Sequence, residues 1–483
     1  MHTIDLRNLS MLMDFYELTM SNGYFNEGIS DTIVYFDMFY RKNPDGGGFA
    51  IAAGLEQIID YVTNLRFTRE NINFLRSKNI FSEGFLEYLL NFRFTGDIYA
   101  VPEGTPVFPN EPILTVKAKA IEAQLLETMI LVTINHQSLI ATKANRIVRA
   151  ANGRAVLEFG ARRCQGYDGA IYGARAAYIG GASGTATTIA DEIFGVPAVG
   201  TMAHSWVQLF NDEYKAFETY ARTYPNNCVL LVDTYNVIKS GIPNAIKVAK
   251  EVLEPMGARL KGIRLDSGDM AYLSTKCRRL LNEAGLEDCK ITISNSLDEY
   301  IITDLLNQGA EIDSFGVGER LVTAKSEPVF GGVYKMVAVD ENGVPVPRIK
   351  ISENPEKVTN PCFKQLWRLY DKSNNMAIAD VLTLNDEEID DTKPYTIFDP
   401  VHTWKKKKLT DFRARKLQVP VFVEGRCVYK LPTLEQIRTY CVDELNTLWN
   451  EVKRFNNPHQ YYVDLSQALW DSKHELMEKH SMK

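Results

Sequence analysis

Cysteine is sparse and unpaired in this chain. The seven residues Cys164, Cys228, Cys277, Cys289, Cys362, Cys427 and Cys441 include no CxxC spacing. Their odd number and scatter exclude a disulfide framework and a thiolate zinc site, and suit reduced thiols. Histidine is equally scarce, seven in 483 residues, with no HxH or HExxH spacing to suggest a metal site. An excess of positive charge is missing too: 54 Lys and Arg against 61 Asp and Glu leave a net charge of −7. That balance excludes a protein whose main business is coating nucleic acid, and leaves room for a local basic pocket for a small anion.

Other absences narrow the class further. The apolar stretch 121–140 is interrupted by Glu122, Gln124, Glu127, Asn135, His136 and Gln137, so it reads as a buried helix and not as a membrane span. The start, MHTIDLRNLSMLMDFYELTM, has no basic head and no clean apolar core before a cleavage site, so it does not read as a signal peptide; a soluble, cytoplasmic protein is expected. No GxSxG elbow occurs, which removes serine-hydrolase chemistry. The Gly-rich RKNPDGGGF (41–49) lacks the Lys-Ser/Thr ending of a P-loop. There is no internal repeat and no long low-complexity segment.

What is present is a globular composition, 45% hydrophobic and 24% charged, in a chain long enough for two or three domains. Residues 10–28 carry apolar side chains at helical spacing, VYFDMFY (34–40) reads as a strand, and 97–118 as a small β unit punctuated by Pro and Gly. From about 150 to 335, six β-rich runs recur: RAVLEFG (154–160), PAVGTMAHS (197–205), CVLLVDTY (228–235), LKGIRLDSG (260–268), KITISNS (290–296) and IDSFGVGE (312–319). Helix-length segments separate them, which predicts βα units and a parallel sheet, open or closed into a barrel. Beyond about 340 the chain turns irregular and charged, with final helices expected from Leu434 to about Phe455 and from Leu465 to Lys479.

Each of the six runs ends in polar or glycine residues: Arg162/Arg163, His204/Ser205, Asp233, Arg264/Asp266, Asn295/Ser296 and Gly316/Gly318. Parallel strands deliver their C-terminal ends to one face, where the chemistry of such folds sits. Arg264 and Asp266, two apart on a strand, share a side; they suit either a surface ion pair or a phosphate, ribose-diol or Mg²⁺ contact. FGARRCQG (159–166) sets Phe159 three residues before an arginine pair, which calls for acidic partners or an anionic ligand beside a planar ring. The small-residue loops SGTATT (183–188) and SFGVGE (314–319) are plain turns or cradles for phosphate oxygens. His204 is a satisfied loop ring, or a nucleophile whose other nitrogen is held by Asp233 at the end of the following strand. The run Lys405–Lys408 reads most simply as a solvated face.

These motifs resemble the nicotinate phosphoribosyltransferases over nearly the whole chain. The resemblance begins with DFYELTM (14–20) and FYRKNPDGGGFAIAAGL (39–55), continues through FGARR, SGTATT, GTMAHS, VDTYN, RLDSGD, SNSLDE and FGVGERL, and reaches KVTNP (357–361). It implies an irregular parallel α/β barrel of the type II phosphoribosyltransferase kind, with an N-terminal α/β domain (1–130), a barrel (131–345) and a C-terminal extension folding back on both (346–483). It implies synthesis of nicotinate mononucleotide from nicotinate and phosphoribosyl pyrophosphate, coupled to ATP hydrolysis with Mg²⁺, in a homodimer whose subunits share active sites.

By motif, His204 is expected to be phosphorylated by ATP with Asp233 supporting it, and Phe159 and Arg162 to hold the pyridine ring and its acid group. Tyr16 is expected to reach that ring from a partner subunit. Arg264 and Asp266 fall near ribose and ring, Asn295 and Ser296 beneath them, and Gly316 and Gly318 at the 5′-phosphate; Arg163 and Arg41 are further phosphate or carboxylate contacts. In Gly184-Thr185-Ala186, the alanine stands where the nicotinamide enzymes carry an Asp. A carboxylate there would repel nicotinate, so its absence favours the acid substrate. The alternatives are a nicotinamide enzyme, a quinolinate enzyme, which is shorter and decarboxylates, and a non-catalytic nucleotide-binding relative.

Overall fold

The computed structural model describes residues 8–481, so the first seven residues of the start read above as no signal peptide lie outside it. The chain divides into two compact units, one of Met1–Leu139 with Val329–Lys483, the other of Ile140–Pro328. Among the described residues no helix is long and apolar enough to cross a membrane. The stretch 121–140 instead forms helix Ala120–Gln124 and the first part of helix Glu127–Ala150.

The first unit is built on antiparallel pairing. Its seven-stranded sheet runs in the order Val344–Pro347, Val333–Glu341, Ile33–Phe39, Leu114–Lys119, Asp97–Ala100, Val419–Val423, Arg426–Cys427. Strands from both ends of the chain are thereby stitched into one sheet. The central strand Ile33–Phe39 is buried on both faces, which is why its sequence does not alternate. Its one charged residue, Asp37, is held by Lys364 Nζ at 2.7 Å and by the Thr115 hydroxyl at 2.7 Å. Helix Phe15–Asn26 follows a short turn at Leu9–Met11, so the helical reading of 10–28 holds for its second part.

The irregular texture expected beyond 340 is not what the chain forms. Residues 364–465 contain a four-stranded sheet in the order Phe412–Lys416, Lys364–Asp371, Ala377–Leu384, Val463–Leu465. Charges inside these strands hid the pattern. Arg368 and Asp380 face each other across the sheet, fully buried, in a two-pronged ion pair of 2.8 and 2.7 Å. Helix Leu434–Asn446 stops short of Phe455, and the last helix begins at Gln467, because Val463–Leu465 is a strand.

The second unit holds a six-stranded parallel sheet: β1 (Ala155–Glu158), β2 (Gly184–Thr185), β3 (Val229–Leu231), β4 (Gly262–Leu265), β5 (Lys290–Ser294) and β6 (Ser314–Val317). The order is β2-β1-β6-β5-β4-β3, with every pairing parallel. Ile263, Leu265, Ile291, Ile293, Phe315 and Val317 are wholly buried in its core. Helices follow the strands, and aspartates start two of them: Asp269 accepts from the Tyr272 amide, and Asp298 from those of Tyr300 and Ile301.

One run was misplaced from sequence. PAVGTMAHS is not a strand; helix Thr188–Phe194 precedes it, and only Ala198 bridges to Thr185. Pro197 and Gly200 leave little to pair, and the chain turns into the short helix His204–Leu209. The strand in this region is β2, inside the segment read as a small-residue loop.

Candidate active site

The C-terminal ends of β1, β2, β4, β5 and β6 surround a cavity of about 680 Å³. Phe159, Arg162, Arg163, Ala186, Arg264, Asp266, Asn295, Ser296, Gly316 and Gly318 all line it. The volume falls in the range of small-molecule sites.

Phe159 continues β1, its amide donating to the Val317 carbonyl at 2.8 Å. Its ring lies against the backbone of β6: a Cβ added at Gly316 would come within 2.6 Å of Phe159 Cδ2. The Arg264 guanidinium sits 5.5 Å from the ring centroid. That guanidinium also donates to Ser294 Oγ at 3.0 Å and to Asp266 Oδ1 at 3.1 Å, so both Arg264 and Asp266 are fixed from β5. Ser294 Oγ in turn donates to Asp266 Oδ1.

Arg162 and Arg163 lie on a single tight turn, Ala161–Arg163, and both are exposed. Neither forms an ion pair with an acidic side chain among the described residues. Arg163 acts only through space on Glu319, whose carboxyl is held below its ordinary range first by Lys325. The unpaired guanidinia therefore remain available to an anion in the cavity.

After β5, Asn295 and Ser296 both adopt left-handed backbone, at φ 89° and 50°. Two consecutive non-glycine residues in that region are costly, and such strain collects at functional sites. Beneath the cavity, Glu158 is buried, and burial raises its carboxyl pKa. It accepts from the Thr185 hydroxyl at 2.6 Å and from the Gly160 amide, and so ties β1 to β2. Thr185 is thus a buried brace, and Ala186 forms the wall above it.

His204 and Asp233 sit beside Asp266. The arrangement differs from a carboxylate bonded directly to the ring. His204 Nδ1 lies 3.2 Å from the Thr234 hydroxyl. Its Nε2 faces two carboxylates, 4.0 Å from Asp233 Oδ1 and 3.9 Å from Asp266 Oδ2, too far for hydrogen bonds. Asp233 spends its other oxygen on the Asp266 amide at 2.9 Å and the Ser267 hydroxyl at 2.7 Å, which fixes the β3 and β4 ends together. Its Oδ1 is buried without a partner.

Among the described residues no cluster of three or more His, Cys, Asp or Glu is placed to hold a metal ion. The orphaned Asp233 Oδ1 and Asp266 Oδ2 are nevertheless two hard oxygen donors turned to one spot. That set fits Mg²⁺, which takes one or two carboxylates and completes its shell with phosphate oxygens and water.

Tyr16 and Arg41 belong to the other unit. Tyr16 is 42% exposed on helix Phe15–Asn26. Burial of its hydroxyl, and then Glu127, push its pKa up. Arg41 lies 5.5 Å from the Phe39 ring, with Nε buried and unpartnered. Thr234, Ser267, Ser294 and Glu158 were not singled out from sequence; the signal available was their place at or just beyond the strand ends.

Fold and site together define an α/β protein with a parallel sheet whose strand ends gather arginines and the carboxylate of Asp266 around a small-molecule cavity, with His204 and Asp233 beside that carboxylate. Comparisons with known proteins make the assignment specific. Residues 11–135 match the nicotinate phosphoribosyltransferase N-terminal domain, 155–375 the nicotinate phosphoribosyltransferase family, and 363–473 the nicotinate phosphoribosyltransferase C-terminal domain. A nicotinate phosphoribosyltransferase of Bacillus subtilis is 46% identical over 96% of this chain and 94% of its own. The human nicotinic acid phosphoribosyltransferase structure superposes with a TM-score of 0.85 at 29% identity, over 96% of this chain and all of that one. A nicotinate-nucleotide pyrophosphorylase structure from Pyrococcus furiosus, 23% identical over 92% of this chain and 97% of its own, shares the fold with a TM-score of 0.70. The chain belongs to the nicotinate phosphoribosyltransferase family.

Proposed function

We propose that the chain forms nicotinate mononucleotide and pyrophosphate from nicotinate and phosphoribosyl pyrophosphate, coupled to ATP hydrolysis through a phosphohistidine, in NAD biosynthesis. The observation that carries this is the unpaired arginine pair beside Phe159 in the cavity at the strand ends. In this reading the pyridine ring lies on Phe159, and Arg162, with Arg163, takes the carboxylate. Ala186 presents no charge to that carboxylate, and Glu158 is already spent on Thr185 and Gly160, which supports the acid over the amide as substrate.

Asp266, oriented by Arg264 and Ser294, places negative charge where the ribose develops oxocarbenium character. Asn295 and Ser296 shape the floor, and the side-chain-free backbone at Gly316 and Gly318 admits the 5′-phosphate. His204 accepts the γ-phosphoryl group of ATP. The Thr234 hydroxyl orients the ring through Nδ1 and leaves Nε2, on the side of Asp233 and Asp266, to carry the phosphate. Asp233 and Asp266 would hold Mg²⁺, which when bound offsets the charge of phosphate oxygens sharing the spot.

The same reading gives a closed, irregular barrel of the type II phosphoribosyltransferase kind. It is supported by β1 pairing with both the next strand, β2, and the last, β6, and by Ala198 extending the sheet past β2. It gives an N-terminal domain, a barrel and a C-terminal extension; three family matches also follow one another along the chain, the middle one running past 345 to 375. It places the protein in the cytoplasm as a homodimer in which Tyr16 and Arg41 serve the partner's site; the exposure of Tyr16 supports this. Incubation with nicotinate, phosphoribosyl pyrophosphate, ATP and Mg²⁺ should yield nicotinate mononucleotide. No product, or equal turnover of nicotinamide, overturns the assignment.

A further inference from the structure

The lysine run 405–408, read from sequence as a solvated face, borders a second cavity of about 590 Å³ in the unit built from both chain ends. It shares no residue with the cavity at the strand ends. Its apolar lining includes Trp449, Tyr461, Ile397 and Val452. The polar atoms of both aromatic rings are already engaged: the Trp449 indole N–H donates to the Ala377 carbonyl at 2.8 Å, and the Tyr461 hydroxyl to Asp380 Oδ1 at 2.9 Å. The Tyr461 ring is buried and stacked on Phe108 at 3.8 Å, so the open aromatic surface is that of Trp449, 41% exposed.

Asp464 also lines this cavity. It is only 4% exposed, yet its carboxyl has no hydrogen bond and no ion pair among the described residues. Strand Val463–Leu465 pairs with Ala377–Leu384 through backbone alone. Burial, and then the like charge of Asp399, push the Asp464 carboxyl up to about 7. Its oxygens are not among the sealed, unpartnered atoms of the fold, so the carboxyl keeps access to the cavity it lines.

The rim carries both signs, with Asp371, Asp399 and Glu451 lining the cavity beside three lysines. Lys405, Lys406 and Lys407 are exposed. Lys405 approaches Asp399 only to 3.8 Å, and Lys406 has no ion pair among the described residues. The cavity thus combines the flat face of Trp449, a buried carboxyl lacking donors and a lip where three lysines stand among Asp371, Asp399 and Glu451. Its size suits a small ligand and not a folded partner. A purely apolar ligand would leave Asp464 unsatisfied, and a simple anion would leave the Trp449 face unused.

We propose that this cavity binds a purine nucleotide, with the base against Trp449, its N–H edge on Asp464 and its phosphate on Lys405–Lys407. The edge chemistry is specific. Ionised Asp464 accepts from the two adjacent N–H donors of guanine, whereas protonated Asp464 both donates to and accepts from adenine.

The test is calorimetric titration of the intact protein, its strand-end cavity filled with saturating nicotinate mononucleotide, using AMP, GMP and adenosine as probes. One nucleotide should bind per chain, with AMP at least tenfold tighter than adenosine. Asp464→Ala should weaken both nucleotides at least tenfold, and Asp464→Asn should spare AMP while weakening GMP. Replacing Lys405, Lys406 and Lys407 together by alanine should abolish the preference for AMP over adenosine. All three variants should keep unchanged nicotinate mononucleotide synthesis, which shows that they fold. Absence of binding at millimolar nucleotide, or binding that these variants leave unchanged, overturns the proposal.

Discussion

The ring of Phe159 occupies the space that a side chain at residue 316 would need. A Cβ on Gly316 would stand 2.6 Å from Phe159 Cδ2 and 2.7 Å from Cε2, and 3.3 Å from the Cβ of Ser294. Neither the ring nor strand β5 can yield cheaply, because the ring is also covered by Arg264. Gly316→Ala should therefore cost about 1–3 kcal/mol of stability through overpacking. It should also tilt the ring, raising KM for nicotinate more than KM for phosphoribosyl pyrophosphate. Denaturant unfolding and steady-state kinetics check both parts; equal KM values with wild-type stability would remove the ring from the pyridine site.

Arg162 and Arg163 have no acidic partner to lose, so replacing them should act on the ligand and not on the fold. Arg162→Ala should leave the midpoint of thermal unfolding nearly unchanged and raise KM for nicotinate roughly 10- to 100-fold, the worth of a charge-assisted hydrogen bond. Arg163→Ala should have the smaller effect of the two. Arg162→Lys should recover only part of the loss, since lysine cannot fork onto a carboxylate. A large drop in unfolding midpoint for either alanine variant would mean that the arginines are structural.

The strand ends were legible because apolar runs stop abruptly at Arg, Asp, Asn and Gly, and a parallel sheet must bring such endings together. What one residue does for another across strands was not legible. Glu158 reads as a polar interruption of RAVLEFG, and only the pairing of β1 with β2 shows it bonded to Thr185. Thr234 stands beside Asp233 in VDTYN with nothing in the sequence to mark it, and it is the residue that reaches His204 Nδ1. The strands beyond 340 were missed for a related reason. Lys364, Arg368 and Asp380 interrupt their apolar pattern, and each is a buried charge whose partner is set by sheet register or by the distant Asp37.

Thr234 offers a direct test of how His204 is used. Thr234→Val keeps the shape and removes the hydroxyl, so the imidazole loses its one hydrogen bond on Nδ1. At about 1 kcal/mol for such a bond, ATP-stimulated synthesis should fall roughly fivefold. Slow synthesis without ATP should be unaffected. His204→Ala should abolish the stimulation entirely and retain the slow reaction. If Thr234→Val depresses both reactions equally, the hydroxyl serves the fold of the loop and not the histidine.

Glu17 sets a pH limit on the unit that carries Tyr16. Its Oε1 accepts from the amide and hydroxyl of Thr128 and from the Asp14 amide, while Oε2 is buried without a partner. Burial raises its carboxyl to about 7, the bonds from Thr128 and Asp14 pull the other way, and Glu127 adds a smaller upward push. Because the folded pKa lies above the unfolded value, the stability it contributes is complete below about pH 4 and is lost as pH rises through about 7. The loss by pH 8 is about 2–4 kcal/mol at most. Glu17→Gln cannot ionise, so its unfolding free energy should stay flat over this window and exceed that of the wild type at pH 8, while matching or falling below it at pH 5. Chemical denaturation at the two pH values decides the matter, and parallel curves for the two proteins would show that Glu17 stays ionised in the fold.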